Sequence, residues 1–376
     1  MSLQPEDIVH EEIRNRLIEI GWKDGDSELK IPEHTLIEHY YLPDVLEKKV
    51  VEINQEKFSK LEEKERKKVI AKIFDELNSR GERILDYLKY GVKIKVDKEI
   101  WTFHLIDHQK PERNYFFFLH EAKFKGSPDN TKPDFTLFIN GIPIVIMEAK
   151  SESVPFSHIR ALEDIRSYEM RSPDLFRFVQ FAIAYGDEKR YTPTLPNWER
   201  KRTQSLSFNW KDEIFDLIEP SRLVEFLRYF IFFWILEEGV KKKLIARWNQ
   251  YRATKRAVKR IEEHMNNGKN RGLIWHWQGS GKTFTMFFIA NYFFDQYYSQ
   301  NPVVFFVVDR QDLERQHDEV LKSVREEKFR SYYKKIENIP ELCKVIETLK
   351  ESEFSKKCDP PRHLLNNNPK ISEGSS

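Results

Sequence analysis

The sequence predicts an α/β protein of two domains, each organised on its own sheet. Three observations predict this. Strand-like apolar segments crowd residues 100–150 and are followed by a helix-like stretch and another apolar segment. A glycine-rich loop, Gly279-Ser280-Gly281-Lys282-Thr283, stands between an apolar strand-like run and an apolar helix-like run. The length, 376 residues, suits two domains at roughly 100–200 residues each.

The elements follow in order. Pro5-Glu6-Asp7, then Ile8, Ile13, Leu17 and Ile18, closed by Gly21, read as a capped amphipathic helix. Residues 56–98 are highly charged with little punctuation, which predicts one or two helices packed by Ile70, Ile73, Phe74 and Leu77. Strands are expected at Ile100–Asp107, Tyr115–Phe124, Asp134–Ile139 and Ile142–Lys150, then a helix from Ser157 to Met170 and a strand Phe178–Tyr185. Gly186, Pro193 and Pro196 mark 186–215 as a hairpin or loop-rich crossover. The greasy run Leu223–Leu236, capped by Glu219-Pro220-Ser221, reads as a buried helix, and 241–265 as a basic one. Strand Gly272–Trp275, the glycine loop, helix Thr283–Tyr298 and strand Val303–Val308 follow the order that opens a parallel sheet. The polar tail 359–376 reads as disordered.

Composition excludes several classes. The chain is 40% hydrophobic and 33% charged with a net charge of +2, so it can form cores, and any nucleic-acid footprint must be local. Cys343 and Cys358 do not make a disulfide framework or a zinc site, and fit a reducing cytoplasm. The N-terminus lacks the basic and apolar regions of an export signal. Leu223–Leu236, interrupted by Glu225 and Arg228, is too short to span a bilayer, so no membrane role is expected.

Pro133-Asp134 and Glu148-Ala149-Lys150 carry the PD…ExK spacing of metal-dependent nucleases. Phosphodiester hydrolysis needs a divalent cation that neutralises the phosphate and acidifies the attacking water. Asp134 and Glu148 would anchor Mg²⁺, with the Ala149 carbonyl as a third ligand, and Lys150 would position water or offset charge on phosphorus. Lys150 stands two residues from Glu148, hence on the same strand face. The plain alternative is an amphipathic hairpin with exposed charges, but charges closing the apolar strand Ile142–Met147 are not what buried packing selects. Asn140-Gly141 signals a two-residue turn. A strict turn of that kind pairs Asp134 with Met147 and turns it away from Glu148, whereas a three-residue loop or a bulge restores the parity. The expectation is a hairpin that is not of the two-residue kind.

Gly279, Ser280, Gly281, Lys282 and Thr283 form the second constellation. Glycines let backbone N–H groups approach phosphate, the helix N-terminus adds its dipole, Lys282 would reach the β- and γ-phosphates of ATP and Thr283 would hold Mg²⁺. His276 stands where the longer phosphate-loop spacing has glycine, which points to a helicase-type loop. Upstream, Gln250 in Arg247-Trp248-Asn249-Gln250-Tyr251 is either an adenine reader or a polar position on a solvated helix. The basic cluster from Lys241 to Arg260 either tracks DNA or is a solvated face.

Together these residues resemble the R subunits of type I restriction enzymes. Trp275-His276-Trp277-Gln278-Gly279-Ser280-Gly281-Lys282-Thr283 is similar to their phosphate loop, and Val304–Gln316 to their next helicase motif. Phe138–Lys150 is similar to their nuclease hairpin. The resemblance implies a restriction-endonuclease-like (PD-(D/E)xK) domain over 1–215 and a helical linker with an adenine-reading element over 216–265. A partial RecA-like parallel-sheet domain over 266–352 and a disordered tail over 353–376 complete the expectation. It implies an ATP-dependent endonuclease that cleaves double-stranded DNA with Mg²⁺ beside modification (M) and specificity (S) subunits. Where the family has Gln-x-x-x-Tyr on the helix after the hairpin, this sequence has Asp164 and Tyr168. Asp164 either approaches the metal or faces water as a DNA-side residue, and the second reading is preferred. No Asp-Glu motif or second RecA-like domain follows, so a truncated or split subunit without full translocase activity is expected. The alternatives are a stand-alone Mg²⁺ nuclease with a nucleotide-binding appendage, and a DNA- or subunit-binding remnant that does not cut.

Overall fold

The computed structural model describes residues 5–31, 35–79, 84–196, 207–210, 213–235, 241–264, 271–307, 333–336, 338–354 and 370–372. They divide into two compact units, Met1–Ile231 and Phe232–Ser376.

The first unit is a seven-stranded sheet in chain order: β1 (Lys23–Asp24), β2 (Phe116–His120), β3 (Phe135–Ile139), β4 (Ile142–Ala149), β5 (Phe181–Tyr185), β6 (Lys189–Pro193) and β7 (Phe208–Asn209). β2, β3 and β4 form an antiparallel meander, whereas β4 and β5 run parallel. A parallel pair needs a crossover, and helix α5 (Ser157–Arg171) supplies it. Every residue of β4 is buried, as expected for a central strand covered on both faces. Phe117, Phe138, Ile146, Ala182 and Ala184 pack with Ala161, Leu162, Ile165 and Tyr168 of α5.

The opposite face is covered by α1 (Pro5–Glu19), whose Ile13 and Leu17 are fully buried, and by α6 (Pro220–Tyr229), whose Phe226 stacks edge-on to Phe181. Three further helices, α2 (Pro43–Ile53), α3 (Glu63–Asn78) and α4 (Ile84–Tyr90), precede β2. A reciprocal capping box between Glu62 and Glu65 starts α3.

Several expectations are corrected. Val92–Val96 was assigned to helix, but it pairs with Glu99–Phe103 as a hairpin, its Val and Ile inward and its Lys outward. The greasy run breaks after Tyr229: Ile231–Ile235 becomes a strand beside Lys241–Ile245, which was expected to be helical. β-branched and aromatic side chains favour that outcome once a partner strand is present. Helix α6, assigned to the linker, belongs to the first unit, where Phe226 also meets Trp210.

The second unit holds α7 (Trp248–His264), α8 (Lys282–Gln296) and α9 (Ile339–Phe354), with α7 packed on α8. Residues 271–277 carry no strand pairing, against the expected strand Gly272–Trp275, and Leu273 and Trp275 are exposed. A strand exists through its neighbours, and among the described residues none pairs with this segment. Among the described residues of the expected strand Val303–Val308, which end at Val307, only Phe305–Phe306 is a strand. Asp309–Gln316 of the resembled helicase motif lie outside the described residues, as does most of the expected disordered tail.

Candidate active site

The β3–β4 hairpin sets the geometry. Its turn is the two-residue kind that the sequence argument rejected: Ile139 pairs with Ile142, and Asn140 and Gly141 take φ values of 54° and 87°. Parity is restored by the other device, a bulge. The register moves from Phe138↔Pro143 to Leu137↔Val145, leaving Ile144 as the extra residue. Continued one step past Phe135↔Met147, this ladder sets Asp134 opposite Glu148, on the face of Thr136 and Ile146. That face looks toward α5.

The carboxylates are held by named donors. The Ala149 N–H donates to Oδ2 of Asp134 at 2.7 Å. Glu148 is 3% exposed. Its Oε1 accepts from Lys150 Nζ at 2.9 Å and its Oε2 from the Tyr168 hydroxyl at 3.1 Å. Lys150 Nζ also lies 2.9 Å from Oδ2 of Asp164. Asp164 and Tyr168 are one helical turn apart on α5, so the crossover that covers the sheet also brings both to the end of β4. Asp164, read as a water-facing residue on the DNA side, keeps a partly exposed side chain but is paired with Lys150, and Tyr168 is buried and bonded to Glu148.

Sequence reasoning missed a histidine pair. His10 of α1 places Nε2 3.5 Å from Oδ2 of Asp134, and its Nδ1 lies 3.1 Å from Nε2 of His120 on β2. Only the fold joins residues this far apart, and no spacing signal announces them.

Burial pushes the Glu148 carboxyl up to about 8, and the nearby Asp134 charge adds to the effect while Lys150 opposes it. Burial works against the Lys150 ammonium, but the Glu148 charge and the bonds to Asp164 and Glu148 outweigh it and raise its pKa. The two shifts pull against each other: one draws Glu148 toward its neutral form, the other relies on its charge. The upward shift of Glu148 decides, because that carboxyl is enclosed and faces Asp134 and Asp164 as well as Lys150. Burial, then the Glu148 charge, raise the Tyr168 pKa, so its hydroxyl remains a donor.

A divalent cation fits this arrangement. Asp134 and Glu148 form a like-charged pair in a desolvated setting, and a cation favours the ionised form of both. Among the described residues, no group of three or more His, Cys, Asp or Glu side chains could hold a metal by itself. A hard cation here would complete its shell with backbone, substrate or water oxygens.

In the second unit, Gly281 is the N-cap of α8 with φ 78°, and Gly279 has φ 76°. Both glycines use the left-handed region that other side chains avoid. Gln250, read either as an adenine reader or as a polar position on a solvated helix, is buried and bonded to the loop. Its Nε2 donates to the carbonyls of Ser280 at 3.3 Å and Gly281 at 3.1 Å, and its Oε1 accepts from the Arg247 N–H at 2.8 Å. Arg247 Nη1 reaches the Gly279 carbonyl at 3.4 Å. Carbonyls drawn toward α7 turn the following N–H groups of Gly281 and Lys282 the other way, since a trans peptide sets the two in opposite directions. Lys282 is exposed, Thr283 is half-buried and Ser280 is buried.

The family model described as the type I restriction enzyme R protein N terminus matches residues 2–201. The chain belongs to this family. The match covers the first unit's sheet through β6, including Asp134, Glu148, Lys150, Asp164 and Tyr168. A second family model, SWI2/SNF2 ATPase, matches residues 249–355, which include the glycine loop.

Among relatives of this R-protein chain, the MjaVIIP type I restriction enzyme endonuclease subunit of Methanocaldococcus jannaschii is 53% identical over 73% of the chain and 27% of the relative. The MjaVIIIP subunit of the same organism is 41% identical over 98% of the chain and 36% of the relative. The HindI subunit of Haemophilus influenzae is 28% identical over 63% of the chain and 24% of its own length. The chain thus spans about a third or less of these relatives. No described helix is long and apolar enough to cross a membrane.

Proposed function

We propose that this chain is the nuclease-bearing part of a type I restriction R subunit. In this reading the first unit is a PD-(D/E)xK domain that cuts double-stranded DNA with Mg²⁺. The second unit contains the opening of a RecA-like fold and binds ATP. The observation that carries the reading is the bulge at Ile144, which sets Asp134 opposite the buried Glu148 with Lys150 on the same face. A one-residue change of register would scatter these groups.

Asp134 and Glu148 would hold the cation, which supplies charge neutralisation and an acidified water. The remaining roles belong to the chain. The Ala149 N–H and the Tyr168 hydroxyl orient the two carboxylates, and the Lys150 ammonium offsets charge that develops on the phosphate. In the second unit, Lys282 and the N–H groups at the start of α8 would meet the ATP phosphates, with Thr283 on its Mg²⁺. The relatives are named endonuclease subunits of type I restriction enzymes, which supports a place in a larger enzyme; in this reading its partners are modification and specificity subunits in the cytoplasm.

The test is nicking of supercoiled plasmid by the full chain in Mg²⁺. Asp134→Ala, Glu148→Ala and Lys150→Ala are each expected to slow it by about 100-fold or more with native circular dichroism. Wild-type rates in folded Glu148→Ala would overturn the nuclease reading. For the second unit, calorimetry should give Mg·ATP binding that Lys282→Ala weakens about tenfold.

A further inference from the structure

We propose that Asp164 is a positioning residue for Lys150: it keeps the ammonium at the cleavage site when Glu148 turns to a cation. The proposal rests on the nuclease reading above and adds to it a role in the place where the resembled family has glutamine.

Three observations carry it. Lys150 Nζ is shared between Oε1 of Glu148 and Oδ2 of Asp164, each at 2.9 Å. Glu148 is buried while Asp164 is 43% exposed at its side chain, so Asp164 keeps its charge solvated as it holds the lysine. Asp164 also shares its helix face with Tyr168, whose hydroxyl occupies the other oxygen of Glu148. The helix therefore fixes both members of the Glu148–Lys150 pair, one through a donor and the other through an acceptor.

A cation at Asp134 and Glu148 competes with Lys150 for Glu148. An ammonium on a flexible four-carbon stem, once released, has several rotamers open to it. Asp164 removes that freedom because its charge-assisted bond does not depend on Glu148. A neutral amide at 164 can still accept a hydrogen bond through its carbonyl oxygen but supplies no charge, so Asp164→Asn should hold the ammonium less firmly than aspartate does. The residue does not need to touch the cation or the DNA, and nothing in its geometry requires it to repel phosphate.

The experiment reads lysine reactivity and cleavage separately. Acetylation of Lys150 in the full chain is followed by mass spectrometry with Ca²⁺ present. It should rise about tenfold in Asp164→Ala, less in Asp164→Asn, and return toward wild type in Asp164→Glu. Equal Lys150 reactivity in wild type and Asp164→Ala would overturn the proposal, whatever the cleavage assay shows. In Mg²⁺, Asp164→Ala should lower the single-turnover nicking rate about tenfold with DNA affinity within about threefold. In the Lys150→Ala background the Asp164→Ala change should add no further loss. Additive losses, or tighter DNA binding at an unchanged rate, would overturn it in favour of a charge that acts on DNA directly. A wild-type chain that does not nick would refute the nuclease reading, and the acetylation result would still judge the Asp164–Lys150 pair.

Discussion

The Tyr168 hydroxyl donates to Oε2 of Glu148 at 3.1 Å, joining the crossover helix to the buried end of β4, two residues before Lys150. The bond lies in a region where an acceptor without its donor is costly. Tyr168→Phe should destabilise the first unit by about 1–2 kcal/mol in urea melts without added metal. An unchanged midpoint would mean that the hydroxyl is dispensable to Glu148.

Glu148 also gives the fold a pH dependence. Its carboxyl is raised from 4.5 to about 8 by burial and the Asp134 charge. The folded state then binds a proton that the unfolded state releases, so this contribution is full below pH 4.5 and is lost as pH rises through about 8. In chelator, stability should fall across that window by roughly 1–4 kcal/mol, and Glu148→Gln should flatten the slope. Added Mg²⁺ should flatten it as well, by favouring the carboxylate. A wild-type stability that climbs from pH 5 to pH 8 relative to Glu148→Gln would contradict the assignment.

The hairpin turn is predicted to be intolerant at Gly141. Its φ is 87°, and a Cβ there would meet the Leu42 carbonyl oxygen at 2.8 Å. Gly141→Ala should cost about 1–3 kcal/mol through backbone strain and this clash. The same turn depends on Asn140, fully buried, whose Nδ2 donates to the Leu105 carbonyl and to Asn114 Oδ1 at 2.8 Å each. Denaturation midpoints of Gly141→Ala and Asn140→Ala, both expected below wild type, check the two statements.

Gln250 separates two accounts of the nucleotide site. Its amide holds the loop carbonyls of Ser280 and Gly281. Gln250→Ala should therefore weaken ATP and GTP alike, by about 5–10-fold, through a loosened loop. Loss of discrimination between the two nucleotides, with ATP alone affected, would restore the adenine-reading role.

Much of the hairpin was legible before folding. Asn140-Gly141 between apolar runs announced the turn, and Glu148 and Lys150, two apart on one strand, had to share a face. The argument named a bulge as one way to bring Asp134 onto the face of Glu148 but failed at the turn, expecting one longer than two residues, because a bulge such as that at Ile144 leaves little trace in an apolar strand. It failed again at Asp164, where i,i+4 spacing gave the shared face with Tyr168 but not its direction.

The amino-acid order by itself determined the continuous apolar run that buries β4, the residue types at its charged end, and the glycines that start α8. These are local properties of side-chain period and backbone freedom. Only the tertiary structure decided which groups meet: Asp134 with Glu148 through a bulge, His10 with Asp134 from the first helix, Lys150 with Asp164 across the crossover, and Gln250 with the glycine loop. It also decided that, among the described residues, no strand pairs with Gly272–Trp275 while Ile231–Ile235 is a strand. Strand formation and the pKa of a buried carboxylate depend on neighbours distant in the chain, and local periodicity carries no information about them.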